Sequence, residues 1–158
     1  MTWTNTDCGL EWVEPVPVQF RQNDGGRSRY FKGTDAGDCV VRAVTIASGL
    51  DYKWVYDQLS TIQKKCDGGS ARNGVRVQNP AFKDFMRSLG FRWRPTMKVG
   101  QGCKVHLHGN ELPTGRLVCQ VSKHSVAVVD GVIHDTYDSS RGGKRCVYGY
   151  WELNPSCP

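Results

Sequence analysis

Cys39 is the residue in this sequence with the clearest chemical opportunity. It opens the segment CVVRAVTIAS, which follows the turn-forming cluster Thr34-Asp35-Ala36-Gly37-Asp38. A thiol in the first turn of a helix lies beside amide N–H groups without main-chain partners, at the positive end of the helix dipole. That position lowers its pKa and favours the thiolate. The same amides can stabilise an oxyanion formed when the sulfur attacks a carbonyl. None of the other six cysteines sits at a recognisable helix start. A thiol nucleophile also needs a base, and the base an orienting partner. His124 begins the apolar run HSVAVV, and Asp130-Gly131 separates that run from a second one, a strong hairpin signal. With Asp130 and Gly131 as the turn residues, Val129 faces Val132, Val126 faces Asp135 and His124 faces Tyr137. Opposed residues share a face, as do residues two apart on one strand, so Asp135 is a diagonal neighbour of His124. A carboxylate there can accept one imidazole N–H and hold the ring in the tautomer a general base requires. Asp138 and His134 fall on the opposite face.

The elements that must position these groups can be read from periodicity. Residues 39–48 are apolar on nearly every side, broken mainly by Arg42, which describes a buried helix. Asp38 offers its N-cap oxygen and Gly49 the C-terminal stop. Asp51 caps a second helix with Trp54, Val55, Gln58, Leu59 and Ile62 on one face and Lys64 and Lys65 at its end. A glycine-rich loop, 66–77, follows. Asn79-Pro80 then opens a third helix, with Phe82, Phe85, Met86 and Leu89 as its apolar stripe and Gly90 as its end. Beyond Phe91 the period changes to two, with strands predicted over 91–94, 104–108, 116–121, 124–129, 132–136 and 146–153. Helices first and an antiparallel sheet afterwards describe an α+β fold. A length of 158 residues fits one domain, 1–158, with residues 1–30 as an irregular N-terminal arm.

A nucleophile at the start of a central helix, followed by a histidine and its acidic partner on adjacent antiparallel strands, resembles the papain-like cysteine peptidase superfamily. The block Gly37-Asp38-Cys39-Val40-Val41-Arg42-Ala43 is similar to the Cys box of the ovarian-tumour deubiquitinases. The His124 strand and Asp135 look more like the C39 bacteriocin-processing peptidases, and the whole is similar to small papain-like proteins of phages and bacteria. The resemblance implies a papain-like fold with the buried Cys39 helix packed on the C-terminal sheet. It also implies a cysteine peptidase cleaving an amide or isopeptide bond through Cys39, His124 and Asp135, with no cofactor. The papain-type oxyanion glutamine would fall on Gly33 and the ovarian-tumour-type aspartate on Ala36. The oxyanion side is therefore assigned to the Cys39 N–H with Asp38 and Gln120 beside it. The aromatic residues Trp54, Trp93, Tyr137, Tyr150 and Trp151 are candidate lining for a substrate cleft.

Composition bounds the alternatives. The chain is 39% hydrophobic and 23% charged, too apolar for a disordered chain. It contains no apolar run long enough to span a bilayer, so no membrane partner is expected. The start MTWTNTDCGLEW lacks the basic and apolar blocks of a secretory signal, which predicts a cytoplasmic protein, in the host cytoplasm if phage-encoded. Seven cysteines, an odd number, argue against a disulfide framework. Cys103, His106 and His108 have the nearest metal-like spacing, but alternation on a strand sends Cys103 away from the two histidines, and no metal is assigned. The net charge of +6 comes from scattered residues, so a nucleic-acid partner is not expected. The expected partner is a protein or peptide substrate. Three rivals remain: acyl transfer or cell-wall peptide cleavage on the same residues, a non-catalytic papain-like binding protein or inhibitor, and, on charge alone, a nucleic-acid-binding protein.

Overall fold

Residues 39–48 become a helix because a buried apolar run is followed by a glycine able to turn the chain. The computed structural model describes residues 2–6, 9–14, 16–33 and 37–154. In it α1 spans Cys39–Ser48, and Gly49 adopts the left-handed conformation with its N–H returning to the Thr45 oxygen. Helix α2, Tyr52–Asp67, starts where the Asp51 side chain accepts from the Trp54 N–H. Helix α3, Pro80–Ser88, is capped by the Asn79 side chain on the Ala81 N–H. Three short 3-10 turns, Arg27–Arg29, Ala71–Asn73 and Gly109–Glu111, join the larger elements.

Strands β1, Thr2–Thr6, and β2, Gly9–Val13, form an antiparallel hairpin. The remaining strands make one six-stranded sheet: β3 (Phe20–Gln22), β4 (Phe91–Pro95), β5 (Arg116–Val121), β6 (His124–Val129), β7 (Val132–Asp135) and β8 (Gly149–Leu153), in the order β3-β7-β6-β5-β8-β4. All neighbours are antiparallel except β3 and β7, so the sheet is mixed. The expectation of a purely antiparallel sheet is corrected at that edge. Nor are residues 1–30 simply an irregular arm, because β3 is a strand of the main sheet. The Thr34 to Ala36 part of the expected turn cluster lies outside the described residues.

The helices cover one face of the sheet. Val41, Val44, Val55, Leu59, Phe82, Met86, Val118 and Trp151 are fully or nearly fully buried there. On the other face Leu117, Cys119, Val126, Val128 and Ile133 meet Leu107, Leu112 and Val147 from the long connections. The sheet is thus a middle layer, and its central strands are apolar on both sides, as β6 shows by being buried over nearly its whole length.

Three other expectations are revised. Trp54 is 43% exposed and Gln58 is exposed, because the buried stripe of α2 runs through Tyr52, Val55 and Leu59 instead. Residues 104–108 pair only at a single bridge, His106 with Cys146, and form no strand. Cys103 and Cys146 are joined in a disulfide with their Cα atoms 5.8 Å apart. An odd cysteine count does not prevent one pair from forming. No helix among the described residues is long and apolar enough to cross a membrane.

Asp130 and Gly131 both take positive φ, 47° and 81°, as a two-residue turn of the mirror-image type requires. Gly109 packs directly on that turn. A Cβ built on it would lie 1.9 Å from the Gly131 oxygen. The contact is backbone on backbone, so neither side can yield by a rotamer change. Gly109→Ala is therefore expected to destabilise the fold by about 2 kcal/mol or more, in the upper part of the overpacking range. Urea denaturation of the variant against the parent protein checks this.

Candidate active site

One end of the sheet collects the residues of interest. There β6 begins, β5 and β4 end, β8 begins and β7 ends, because adjacent antiparallel strands alternate direction. The N-terminus of α1 meets the same end, since α1 packs lengthwise on β6. The hairpin register follows the Asp130-Gly131 turn: Val129 pairs with Val132, Val128 with Ile133 and Ala127 with His134. It carries His124 and Asp135 to adjoining positions. His124 Nε2 lies 2.6 Å from Asp135 Oδ2, with the two side chains only 9% and 3% exposed.

With Nε2 committed to Asp135, Nδ1 is the ring nitrogen left for Cys39, whose thiol lines the same groove as the imidazole. Burial by itself pushes the Cys39 thiol up. The hydrogen bond and charge of His124, the Ser125 backbone N–H and the Arg42 guanidinium outweigh it, and the net direction is down. On His124 burial acts to lower the pKa, but hydrogen bonds and charges from Asp135 and Cys39 raise it to about 9. Burial likewise acts to raise Asp135. The imidazole, the Ser139 hydroxyl and the Thr136 N–H prevail and hold it below the ordinary carboxylate value. The opposite directions for Cys39 and His124 are the ones that favour a thiolate beside an imidazolium. By contrast, burial alone drives Cys119 strongly upward, so that thiol is inert.

Asp135 is held on several sides. Its Oδ2 accepts from Ser139 Oγ at 2.8 Å, and its Oδ1 accepts from the Thr136 N–H at 2.7 Å and faces Arg42 Nη2 at 3.4 Å. Arg42 also forms an ion pair with Asp38. The other Asp38 oxygen accepts from Tyr52 at 2.5 Å and faces Arg27 Nε at 3.2 Å. The carboxylate of Asp38 is thus completely enclosed and makes no cap hydrogen bond to α1. This corrects the expected cap: the Asp38 side chain does not cap the helix, and it lies in the buried network and not along the groove over Cys39. The buried guanidiniums compete for it more strongly than the neutral amides of the first turn. Arg27, Tyr52, Ser139 and the linking role of Arg42 were not identified from sequence. A lone arginine in an otherwise apolar helix was the available signal, since a buried charge requires a partner.

A groove of about 360 Å³ opens over Cys39. Gly37, Cys39 and Val40 form its floor, His124, Ser125 and Gln120 one wall, and Asn73, Gly74, Val75 and Val77 the other. The second wall comes from the glycine-rich loop after α2, which passes beside Gly37 at a distance that a Cβ there would meet in ordinary contact, 3.5 Å from the Arg72 oxygen. Gln120 lines the groove, with its amide anchored to β6. Its Oε1 accepts from Ser125 Oγ at 2.9 Å and its Nε2 donates to the His124 oxygen at 3.2 Å.

Among the aromatic candidates, Tyr137 sits with its ring 5.8 Å from that of His124 and is 54% exposed. Trp93 and Trp151 line a cavity adjoining the groove. Trp54 and Tyr150 line neither, Trp54 packing on Phe85 and Tyr150 on the opposite face of the sheet. Cys103 is consumed by its disulfide, and His106 Nδ1 contacts Glu111 at 3.1 Å. Among the described residues no group of three or more His, Cys, Asp or Glu side chains is gathered to hold a metal ion. The chain matches no protein-family model, no curated protein and no solved structure.

Proposed function

We propose that this protein is a cysteine peptidase of papain-like type, hydrolysing an amide or isopeptide bond of a protein or peptide substrate. The observation that carries the reading is the convergence of Cys39 and His124 on one open groove, with the buried Asp135 bonded to the imidazole at 2.6 Å behind it. The α1 start, the hairpin and the directions of the two pKa shifts all support it.

In the reaction, the Cys39 thiolate attacks the substrate carbonyl carbon and the carbonyl electron pair moves onto oxygen. The amides of the first turn of α1 face that oxyanion, since the Asp38 carboxylate is turned away from them. Collapse of the adduct breaks the C–N bond, and the imidazolium of His124 gives its proton to the departing amine. The products of this half are a free amine and a thioester on Cys39. Water then attacks the thioester while His124 takes its proton, and cleavage of the C–S bond releases the acid and restores the thiolate–imidazolium pair. Asp135 keeps the ring oriented and stabilises its charge throughout.

Competitive alkylation tests the reading. At pH 6 a limiting amount of a thiol electrophile is added and all seven cysteines are mapped by peptide mass analysis. Cys39 is expected to take nearly all of the label, ahead of the exposed Cys66. Labelling of Cys66 at an equal or faster rate would remove the activated nucleophile and with it the peptidase reading. A papain-like binding protein without turnover would then fit better.

A further inference from the structure

The groove over Cys39 does not end at the reactive residues. Val77 and Gln120 line both it and a second cavity of about 240 Å³, while Arg87 and Trp93 line both that cavity and a third of about 430 Å³. Through these shared residues the three make one row, a trough that runs from the start of β6 past β5 and β8 to the edge strand β4. We propose that this trough is the selectivity site of the enzyme, and that it takes a polypeptide segment carrying acidic side chains next to an aromatic or large apolar one. The proposal rests on the peptidase reading for what happens at Cys39, but makes its own claim about what binds.

Charge is the first argument. Lys83, Arg87, Arg92 and Arg94 line the far part of the trough and Lys123 its near end, and no acidic residue lines any of the three cavities. Two carboxylates stand nearby. Asp84 pairs with Arg87 at 3.0 Å, both well exposed, and Glu152 lies opposite Arg92 in the β4–β8 register. They offset part of the positive charge and leave an excess that an acidic ligand would neutralise.

The second argument is the tryptophan seat. Trp93 is 40% exposed, yet its ring is fixed: a Cβ on Gly149 would lie 2.2 Å from it, so the indole rests directly on the β8 backbone. Trp151 supports it from the side, with ring centroids 5.4 Å apart and a tilt of 56°. An exposed aromatic held in one orientation is a surface on which a flat or branched apolar side chain can pack at little entropic cost. Single-stranded nucleic acid also stacks on tryptophan and pairs with arginine. It presents no acyl carbonyl to a thiolate at the other end of the same trough, whereas a polypeptide does.

Two families of peptide electrophiles test this, one with the reactive group at the C-terminus and one at the N-terminus, so that either direction along the trough is sampled. Each family contains a Glu-Glu-Phe and a Lys-Lys-Ala version, and alkylation of Cys39 is followed by intact mass. Every rate is divided by the same protein's rate with iodoacetamide, which reports the thiol alone. In one family the acidic version is expected to react at least tenfold faster than the basic one, with the contrast shrinking in high salt. K83E/R87E is expected to erase or reverse that contrast, and W93A to reduce it at least threefold. Equal normalised rates for acidic and basic versions in both families overturn the proposal. Binding of the non-reactive acidic peptide is measured in parallel by fluorescence anisotropy, with oligo-dT as competitor. If Cys39 proves unreactive to every electrophile while the acidic peptide still binds at Trp93, the selectivity site stands and the peptidase reading falls. Tighter binding of oligo-dT than of the peptide overturns the polypeptide assignment.

Discussion

His124→Ala is expected to slow alkylation of Cys39 at pH 6 by about 10²-fold. The estimate follows from the thiolate fraction. A thiol of ordinary pKa near 8.5 is only roughly 0.3% ionised at pH 6, and the burial of Cys39 would push it lower once its partner is gone. In the parent protein the hydrogen bond and charge of His124 hold the Cys39 pKa down, so a much larger fraction is thiolate. Part of the gain is offset because a less basic thiolate is intrinsically a weaker nucleophile, which is why the expected factor is nearer 10² than 10³. The pH dependence has a definite sign on each side. Below the depressed Cys39 pKa the thiolate is protonated and reactivity falls. Above about 9, His124 loses its proton. Alkylation then continues, because it needs only the thiolate, but peptide hydrolysis declines, because the leaving amine needs the imidazolium. A rate–pH profile of alkylation in both proteins, with hydrolysis in the parent, separates these effects. An unchanged profile in the variant would mean that the histidine does not govern the thiol.

Asp38→Ala is expected to cost about 3–5 kcal/mol of stability, the range for removing one partner of a buried ion pair. Among the described residues Asp38 is the only carboxylate contacting Arg27, and it is shared with Arg42, both guanidiniums being nearly inaccessible to water. Without it Arg27 keeps, among the described residues, the Gly33 oxygen at 2.6 Å, and the buried Tyr52 hydroxyl loses its acceptor. Arg42 would retain Asp135 at 3.4 Å, placing more of its charge on the carboxylate that orients His124. A loss of this size is a large part of the 5–15 kcal/mol that holds a typical domain together. Urea denaturation should show a lower midpoint at an unchanged slope. A change below about 1 kcal/mol would show that the buried network contributes little.

Legibility in the sequence differed sharply among these elements. Helix α1 could be bounded at both ends, because an apolar run between Asp38 and Gly49 admits few other conformations. The β6–β7 register was equally readable, since Asp130-Gly131 allows one pairing and that pairing brings Asp135 beside His124. What local pattern does not encode was missed. The three residues of β3 are exposed and show no alternation, and their place in the sheet comes from a long-range parallel pairing with β7. The Cys103–Cys146 pairing spans 43 residues and leaves no trace in spacing. Asp38 has the residue type of a helix cap, yet two arginines, one of them far upstream in Arg27, decide its role. The trough toward Trp93 required knowing that β4 pairs with β8, which places Trp93 opposite Trp151.

In the proposed reaction Cys39 forms an acyl intermediate that water then releases. Rapid mixing with excess p-nitrophenyl acetate, followed by intact-mass and peptide-mass analysis over time, addresses it without knowledge of the natural substrate. The expected result is a burst of nitrophenolate equal to the protein concentration, one acetyl group located on Cys39, and its loss at the steady-state rate. The burst should be absent in Cys39→Ser and strongly slowed in His124→Ala. Acetyl groups spread over Cys66 and the lysines, with no burst and no preference for Cys39, would contradict it.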